Sequence, residues 1–275
     1  MTAVTATGSA ATGRAEPQRG RRRGGRSIAA VGLPVLAVVL IVALWWLATV
    51  LFSIPEYLVP GPHVVVATIV ELGPYLLEQA WVTLGETVIG FVLSIVIGVP
   101  VAMAISRFVI VERMLYPLLL AVNSVPKVAI APILVVWMGF GQTPKIVMVI
   151  LLCFFPIVLS TVSGLRSTPS ELVELSRSLD ASEMQEFRKI RFWWALPQIF
   201  VGLKNAISLA VIGAVIAEFV GASSGLGFVI VQSGASADTA LAFAAIVLLA
   251  LMSIILFYLL VWLEKMLLPW AEEHR

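Results

Sequence analysis

The sequence is short of charge. Only 12% of its 275 residues are Asp, Glu, Lys or Arg, whereas 60% are hydrophobic. Soluble domains carry about 25% charged residues, so this chain has about half of the charge that usually covers a water-facing surface. The low charge argues against a soluble globule, a nucleic-acid-binding protein and a disordered protein. A membrane protein remains, because six transmembrane helices of about 20 residues each would take roughly 120 residues.

Residues that bind metals or catalyse reactions are also scarce. Cys153 is the only cysteine, so the chain can form neither an intrachain disulfide nor a multi-cysteine metal site. Its two histidines, His63 and His274, lie far apart, and its only aspartates are Asp180 and Asp238. The sequence contains no G-x-x-x-x-G-K-S/T phosphate loop and no H-E-x-x-H motif. We therefore predict no catalytic residue, no metal site and no cofactor bound by this chain.

The basic residues are concentrated at the N-terminus. Residues 1–27 hold six arginines against a single acid, Glu16, and show no apolar periodicity, which predicts a disordered cytosolic tail. A cleaved export signal is the alternative. However, the apolar stretch at 28–52 is 25 residues long, whereas the apolar part of a signal peptide has about 7–15. We predict a retained first transmembrane helix at 28–52.

Five further apolar stretches are long enough to cross a membrane. They lie at about 81–105, 114–139, 145–165, 197–220 and 241–264, and the stretch at 114–139 is interrupted by Pro117, Pro126 and Pro132. Residues 53–79 are amphipathic and predict an extracytoplasmic segment with a short interfacial helix. The transmembrane core therefore runs from 80 to 264, followed by a cytosolic C-terminal tail at 265–275.

The remaining basic residues test this division. With both termini in the cytosol, 15 of the 18 basic residues lie in cytosolic segments. Only Lys145 is assigned to the outside, while Lys127 and Lys204 fall within spans, where we expect snorkelling of Lys204 to the surface. The positive-inside rule favours this orientation. The prediction is an all-α protein of six transmembrane helices.

The one long cytosolic loop, 166–196, carries two helix-start signals. Thr168-Pro169-Ser170-Glu171 fits an N-cap threonine, a proline at the first helical position and a glutamate three residues on. Ser182-Glu183-Met184-Gln185 fits a second capping box. We predict two short helices joined at Asp180-Ala181.

These two helices are amphipathic. Leu172, Leu175 and Leu179 share one face of the first helix. Short isolated helices are marginal in water, so this apolar stripe needs a surface to bury against. That surface is either the helix ends of this chain or a partner.

Four blocks of the sequence resemble the permeases of binding-protein-dependent ABC importers. They are the EAA-like loop at 174–182 with its continuation to 203, the segment 125–132 with 137–141, the segment 154–156, and the segment 217–227. Together they cover about residues 60–264. The last two blocks are similar to the nitrate/sulfonate/taurine branch of that family, which includes permeases for pyrimidine vitamin precursors.

The resemblance implies the type I ABC importer (MetI-like) transmembrane fold. It also implies a homodimer of permease copies, two cytosolic ATPase subunits that bind ATP and Mg²⁺, and an extracytoplasmic solute-binding protein. In that family the loop forms a coupling helix that docks on the ATPase. Carried over by position, the ATPase contact comprises Glu174, Leu175, Ser178, Leu179, Asp180, Ala181 and Ser182.

Two residues depart from the family pattern in this loop. The small Ala-Ala pair is Leu175-Ser176 here, and the glycine is Asp180. Glycine suits a left-handed turn between two helices, and aspartate adopts that conformation more readily than most residues, at a cost. We predict that the turn is kept and that the docking groove on the partner has a different shape.

Polar residues within the spans are candidates for the translocation pathway, because burying them in lipid is costly. These candidates are Glu86, Asn123, Ser124, Lys127, Ser208 and Glu218. Snorkelling of Lys127, an interfacial position for Glu86 and a helix-packing role for Glu218 are the alternatives. Gly213, Ala217 and Gly221 repeat every four residues and predict close helix packing. The glycine-rich segment 221–234 predicts a bent or re-entrant segment buried in protein.

Together these features predict the permease subunit of an ATP-driven importer in a prokaryotic cytoplasmic membrane. Alternating access would move a small organic solute or an oxyanion, such as a sulfonate, taurine or nitrate. The alternative is a stand-alone secondary transporter or channel in which Glu86, Lys127 or Glu218 couples ions. The loop at 166–196 argues against that alternative, because a carrier that works alone needs no docking surface.

Overall fold

The computed structural model describes residues 26–270, and in that range it contains helices and no strand. The α-helices in chain order are α1 (Arg26–Leu51), α2 (Pro62–Glu71), α3 (Gly73–Arg107), α4 (Val109–Asn123), α5 (Ala131–Met138), α6 (Gln142–Arg166), α7 (Ser170–Ser178), α8 (Glu183–Glu186), α9 (Phe192–Gly221), α10 (Leu226–Ala235) and α11 (Thr239–Leu267). The predicted N-terminal tail and the last five residues lie almost wholly outside the described range.

The predicted all-α membrane architecture is confirmed. Within the described residues, five helical segments are long and apolar enough to cross a membrane, namely α1, α3, α6, the run from α8 through α9, and α11. A sixth crossing is possible if α4 and the helical segment that ends with α5 count as one span, bent by 75° at its break. The six predicted spans therefore correspond to five helical segments and one bent pair.

The third span differs from the prediction of one interrupted helix starting near residue 114. Helix α4 begins at Val109 and ends at Asn123, and a 3₁₀ turn at Lys127–Ile130 precedes α5. Pro126 separates the two segments in an extended conformation. Proline has no N–H and disfavours helical geometry in the residue before it, which favours a break at this point.

Helix α3 begins eight residues earlier than predicted. It starts at Gly73, with Pro74 in its first turn, and takes in the last seven residues of the predicted extracytoplasmic segment 53–79. Proline in the first turn of a helix loses no hydrogen bond, so Gly-Pro here starts a helix. Of the predicted segment 53–79, α2 remains as a short separate helix.

Helix α6 is the centre of the bundle and packs between α3 and α9. Its contact with α9 is close at Gly213, which is buried and where an added Cβ would lie 3.1 Å from the Cα of Val149. Ala217 packs one turn further on against Met148 and Leu134. Gly221, at the end of α9, lies against the ring of Phe140. The three small residues thus face α5, α6 and the loop between them.

Candidate functional site

The first helix of the cytosolic loop starts differently from the prediction. Helix α7 begins at Ser170, Pro169 occupies the N-cap, and no side chain caps it. The Thr168 hydroxyl instead donates to the carbonyl oxygen of Leu165 in the last turn of α6, at 3.1 Å. The predicted capping box at Thr168 is therefore wrong, because the threonine serves the preceding helix.

The second capping box is confirmed. The Ser182 hydroxyl accepts a hydrogen bond from the Gln185 backbone N–H at 3.3 Å, and the Gln185 side chain accepts one from the Ser182 N–H at 3.0 Å. Helix α8 then continues through a π-helical turn at Phe187–Arg191 directly into α9. The second loop helix is therefore the cytosolic end of the fifth span.

Ion pairs hold this loop in shape. Glu186 is buried and lies 3.2 Å from the Arg177 Nε and 2.6 Å from a guanidinium nitrogen of Arg191. Arg107, at the end of α3, reaches Glu183 at 3.2 Å. The Arg177–Glu186 pair connects α7 to the start of the fifth span. The Arg107–Glu183 pair connects that start to the end of α3, the second span.

Much of the apolar stripe of the loop is not covered by this chain. Leu175 is 57% exposed and Leu179 is 74% exposed, whereas Leu172 is half-buried. Met184 is exposed beside them. Among the residues assigned to the ATPase contact, Ala181 is half-buried and the rest are exposed. The helix ends of this chain therefore cover only part of the apolar stripe, and Leu175 and Leu179 remain exposed.

The turn between α7 and α8 has the geometry predicted from Asp180. Its φ is +56°, in the left-handed region. The Asp180 N–H donates to the carbonyl of Arg177, and the Ala181 N–H to that of Ser176, at 3.1 Å each. These bonds satisfy carbonyls at the end of α7 in the manner of a helix C-cap. The departure from glycine is thus accommodated without loss of the turn.

We expect two substitutions of Asp180 to change the stability of the permease in opposite directions. Asp180→Gly relieves the left-handed strain and keeps ATPase association, whereas Asp180→Val costs about 1–2 kcal/mol because a β-branched residue tolerates positive φ poorly. Thermal unfolding of the purified chain measures the stability of each variant, and co-purification with the ATPase measures association. Glu171→Val, at an exposed helical site outside the residues assigned to the ATPase contact, is the control. Equal stability of the glycine and valine variants would contradict the left-handed backbone conformation of residue 180.

A second cluster of polar residues lies buried between three spans. The Lys145 Nζ of α6 lies 2.7 Å from the Glu86 Oε1 of α3, and their side chains are 7% and 2% exposed. Glu218 of α9 is also buried, and its Oε1 accepts a hydrogen bond from the Thr83 hydroxyl at 2.7 Å. The other oxygen of Glu86 has no hydrogen-bond partner in the structure.

This cluster holds the beginning of α10. The backbone N–H of Gly227 donates to the Glu218 Oε2 at 2.6 Å, and that of Leu226 donates to the Thr83 hydroxyl at 2.8 Å. The Gly225 N–H donates to the Gln79 Oε1 at 2.7 Å. The first N–H groups of a helix have no partner within it, so α3 and α9 supply their acceptors. A side chain at Gly225 would overlap the Glu218 carboxylate.

Glu86 and Glu218 therefore do not line an open surface of this chain. Each is 2% exposed in this chain, and their assignment to the translocation pathway stays a prediction. The sequence analysis missed Lys145, because it stands at the edge of its apolar stretch and was counted with the outer loops. The available signal was that Glu86, Lys145 and Glu218 all fall in the outer halves of their spans. A cavity of about 460 Å³, bounded by residues 140–142 and 221–224, opens beside Lys145.

The other pathway candidates lie elsewhere. Lys127 donates to the backbone oxygen and to the Oδ1 of Asn123, both at 2.9 Å, and lies 4.8 Å from the ring centroid of Phe155. Its ammonium group therefore pairs with Asn123, the last residue of α4. Ser124 is exposed next to it. Ser208 is half-buried on α9, about 15 Å along the helix from Glu218.

Lys204 is a further correction. Its Nζ lies 2.8 Å from the Glu264 Oε2 of α11, with side chains 14% and 11% exposed, so it is paired within the protein. Snorkelling is the usual outcome for a lysine near a helix end only when no acid is within reach. Glu264 supplies that acid from the neighbouring span.

The fold resembles one found in a solved ABC transporter. The chain superposes on a chain from the inward-facing structure of the MetNI methionine ABC transporter, with a TM-score of 0.59 and 24% identity, over 70% of this chain and 94% of that one. At this level of identity the likeness concerns the fold alone.

Relatives with similar sequences are permeases. The formylaminopyrimidine transport permease of Halalkalibacterium halodurans is 35% identical over 88% of this chain and 96% of its own length. The riboflavin transport permease of Chloroflexus aurantiacus is 33% identical over 89% of this chain and 91% of its own. The taurine transport permease of Escherichia coli is 27% identical over 88% and 91%.

Residues 94–271 match the family model described as binding-protein-dependent transport system inner membrane component. The chain belongs to this family and is a multi-pass permease of the cytoplasmic membrane in a small-solute ABC importer. The family name itself places a binding protein among the components of such systems. The expectation of the nitrate/sulfonate/taurine branch agrees with the taurine relative.

Proposed function

We propose that this permease works as a homodimer and that the exposed surface formed by residues 174–182 docks on a separate ATPase subunit that binds ATP and Mg²⁺. The observation that carries this proposal is the exposure of Leu175 and Leu179 on a loop that ion pairs hold in place. A fixed apolar surface in water calls for a partner. The charges around it, Glu174 and Asp180, would set the register of docking.

The proposed mechanism is alternating access. Closure of the ATPases on ATP displaces the docked loops, and the loops displace the fifth spans to which they are continuous. ATP can only shift this equilibrium by binding one state more tightly than the other. Asn123, Ser124 and Lys127, at the break of the third span, remain the candidates for the solute pathway, because the backbone there is bent and partly exposed.

For the substrate, we propose a small nitrogen heterocycle of the vitamin-precursor kind. The formylaminopyrimidine and riboflavin permeases are 35% and 33% identical to this chain over nearly its whole length, against 27% for the taurine permease. A sulfonate is the second candidate, supported by the taurine relative. The binding protein, not the permease, would make most of this selection.

ATP-dependent uptake tests both the importer mechanism and the proposed substrate. The permease, its ATPase and its binding protein are reconstituted in proteoliposomes, and labelled formylaminopyrimidine, riboflavin and taurine are offered in turn. We expect uptake of one heterocycle that requires all three components. Uptake by the permease alone under an ion gradient would support the stand-alone transporter instead. Uptake of taurine with ATP would retain the importer and overturn the heterocycle.

A further inference from the structure

Lys127, at the break of the third span, lies about halfway across the membrane-spanning bundle. Its Nζ is 4.8 Å from the ring centroid of Phe155 on α6. Helix α6 runs from Gln142 to Arg166. At 1.5 Å per residue, Phe155 lies about 20 Å from the first residue of α6 and about 17 Å from its last. The ammonium group of Lys127 is therefore at the middle of a helix that crosses the membrane.

This ammonium group has no carboxylate partner among the residues that the structure describes. The ion pairs in that part of the chain join other residues. Lys145 and Lys204, by contrast, each pair with a buried glutamate. A charged group within a membrane is costly unless it is paired or faces a water-filled cavity, and such groups mark the pathways of solutes and ions. The unpaired charge of Lys127 therefore calls for water or a ligand at this depth.

Lys127 also keeps one N–H group for a ligand. A lysine ammonium has three donors, and the backbone oxygen and Oδ1 of Asn123 accept two of them, both at 2.9 Å. Within residues 26–270 no third acceptor forms a hydrogen bond with it. Lys127 is half-buried, and its neighbours Ser124 and Val128 are exposed. A solute that reaches the break would therefore meet one charged donor.

We propose that Lys127 contacts the solute and donates a hydrogen bond to one of its acceptor atoms halfway across the membrane. This proposal rests on the function proposed above, because it requires the break of the third span to line the pathway. The acceptor would be a carbonyl oxygen or ring nitrogen of a heterocycle, or an oxygen of a sulfonate. The same fixed positive charge would disfavour cations, as charged residues do in selective pores.

Cysteine labelling tests whether position 127 faces an aqueous pathway. Cys153 is the only native cysteine and is buried, so Lys127→Cys introduces one accessible thiol. The permease is reconstituted with its ATPase in proteoliposomes and treated with a charged, water-soluble methanethiosulfonate. We expect the introduced thiol to react, and the transported solute to slow this reaction. Ile41→Cys, 66% exposed on the apolar helix α1, is the control and should stay unreactive because lipid covers it.

Uptake kinetics test the contact itself. Lys127→Met removes the charge and keeps nearly the same length. Its kcat/KM for ATP-dependent uptake should fall about tenfold to a hundredfold, the loss of one hydrogen bond to a charged group. The fall applies to whichever of formylaminopyrimidine, riboflavin and taurine the wild type transports. Lys127→Arg keeps a charged donor and should keep most of the rate. Lys189→Met makes the same change at an exposed cytosolic site and should leave uptake unchanged.

Two further measurements distinguish this contact from a structural role. A lysine that only holds the end of α4 would, when removed, lower the unfolding temperature of the permease and the ATP hydrolysis of the complex together with uptake. The same loss of stability would reveal a carboxylate of a second copy as its partner, since a buried charge would be left unpaired. We expect Lys127→Met to keep wild-type stability and ATP hydrolysis and to lose uptake alone.

Three results would overturn the inference. These are an unreactive thiol at position 127, unchanged uptake in Lys127→Met, or a parallel loss of uptake, ATP hydrolysis and stability in that variant. The function proposed above fails in a different way. Transport of taurine by the wild type would overturn the heterocycle and leave Lys127 to be tested on taurine. If the wild type transports none of the three solutes with ATP, the importer mechanism fails, and the labelling result alone decides the inference.

Discussion

Lys145→Met is expected to destabilise the folded permease by about 3–5 kcal/mol, the usual effect of removing one partner from a buried ion pair. The variant leaves Glu86 buried with no cation within the three-span cluster, to which the buried Glu218 also belongs. Since methionine has nearly the length of lysine, packing is preserved and the change is mainly electrostatic. Thermal unfolding in detergent and the yield from membranes measure the loss.

The double variant Glu86→Gln/Lys145→Met provides the decisive comparison. It removes both charges from the same place, and replacing a whole buried pair is often close to neutral. We therefore expect the double variant to recover most of the stability that Lys145→Met loses. Arg113→Met, at an exposed site, should change stability by less than about 0.5 kcal/mol. A double variant as unstable as the single one would show that the pair itself is not what holds the cluster.

The second large effect is expected at the coupling surface. Leu179→Asp should weaken association with the ATPase by about 2–4 kcal/mol, the range of an interface hot spot, and should abolish ATP-dependent uptake. Leu179 is 74% exposed, so the substitution leaves the fold of the permease intact. Co-purification of the ATPase with a tagged permease measures association, and the unfolding temperature of the permease alone verifies the fold.

A matched control comes from the other side of the membrane. Leu58, in the segment between α1 and α2, is 57% exposed, and Leu58→Asp makes the same chemical change away from the loop. It should leave ATPase association unchanged. Glu174→Arg tests the charge beside the stripe and should weaken docking less than Leu179→Asp does. Intact association in Leu179→Asp would remove the loop from the ATPase contact.

The sequence predicted those features that depend on neighbouring residues. Spans are visible in the sequence because apolar residues run for about 20 positions. The second capping box is visible because its two partners are three residues apart. The left-handed turn at Asp180 was likewise predictable from the position that glycine takes in the family.

The features that the sequence did not predict depend on how the spans are offset from one another along the membrane normal. Lys145 meets Glu86 across 59 positions of sequence, and Glu218 reaches Thr83 across 135. Such pairs form only once α3, α6 and α9 pack at a particular vertical offset, which no local pattern encodes. Thr168 shows the same limit at short range. Its hydroxyl can serve either the helix before it or the helix after it, and only packing decides.

The continuity of α8 with α9 has a mechanical consequence. From Glu183 to Gly221 the chain forms one helical run of 39 residues, about 58 Å long at 1.5 Å per residue. Its cytosolic end carries the docking loop, and its far end carries Glu218, which holds the first turn of α10. A tilt of this rod by about 5° displaces one end by about 5 Å relative to the other. If the loop docks on the ATPase as proposed, the rod would act as a lever that moves the α10 anchor on the outer side when nucleotide binds on the inner side.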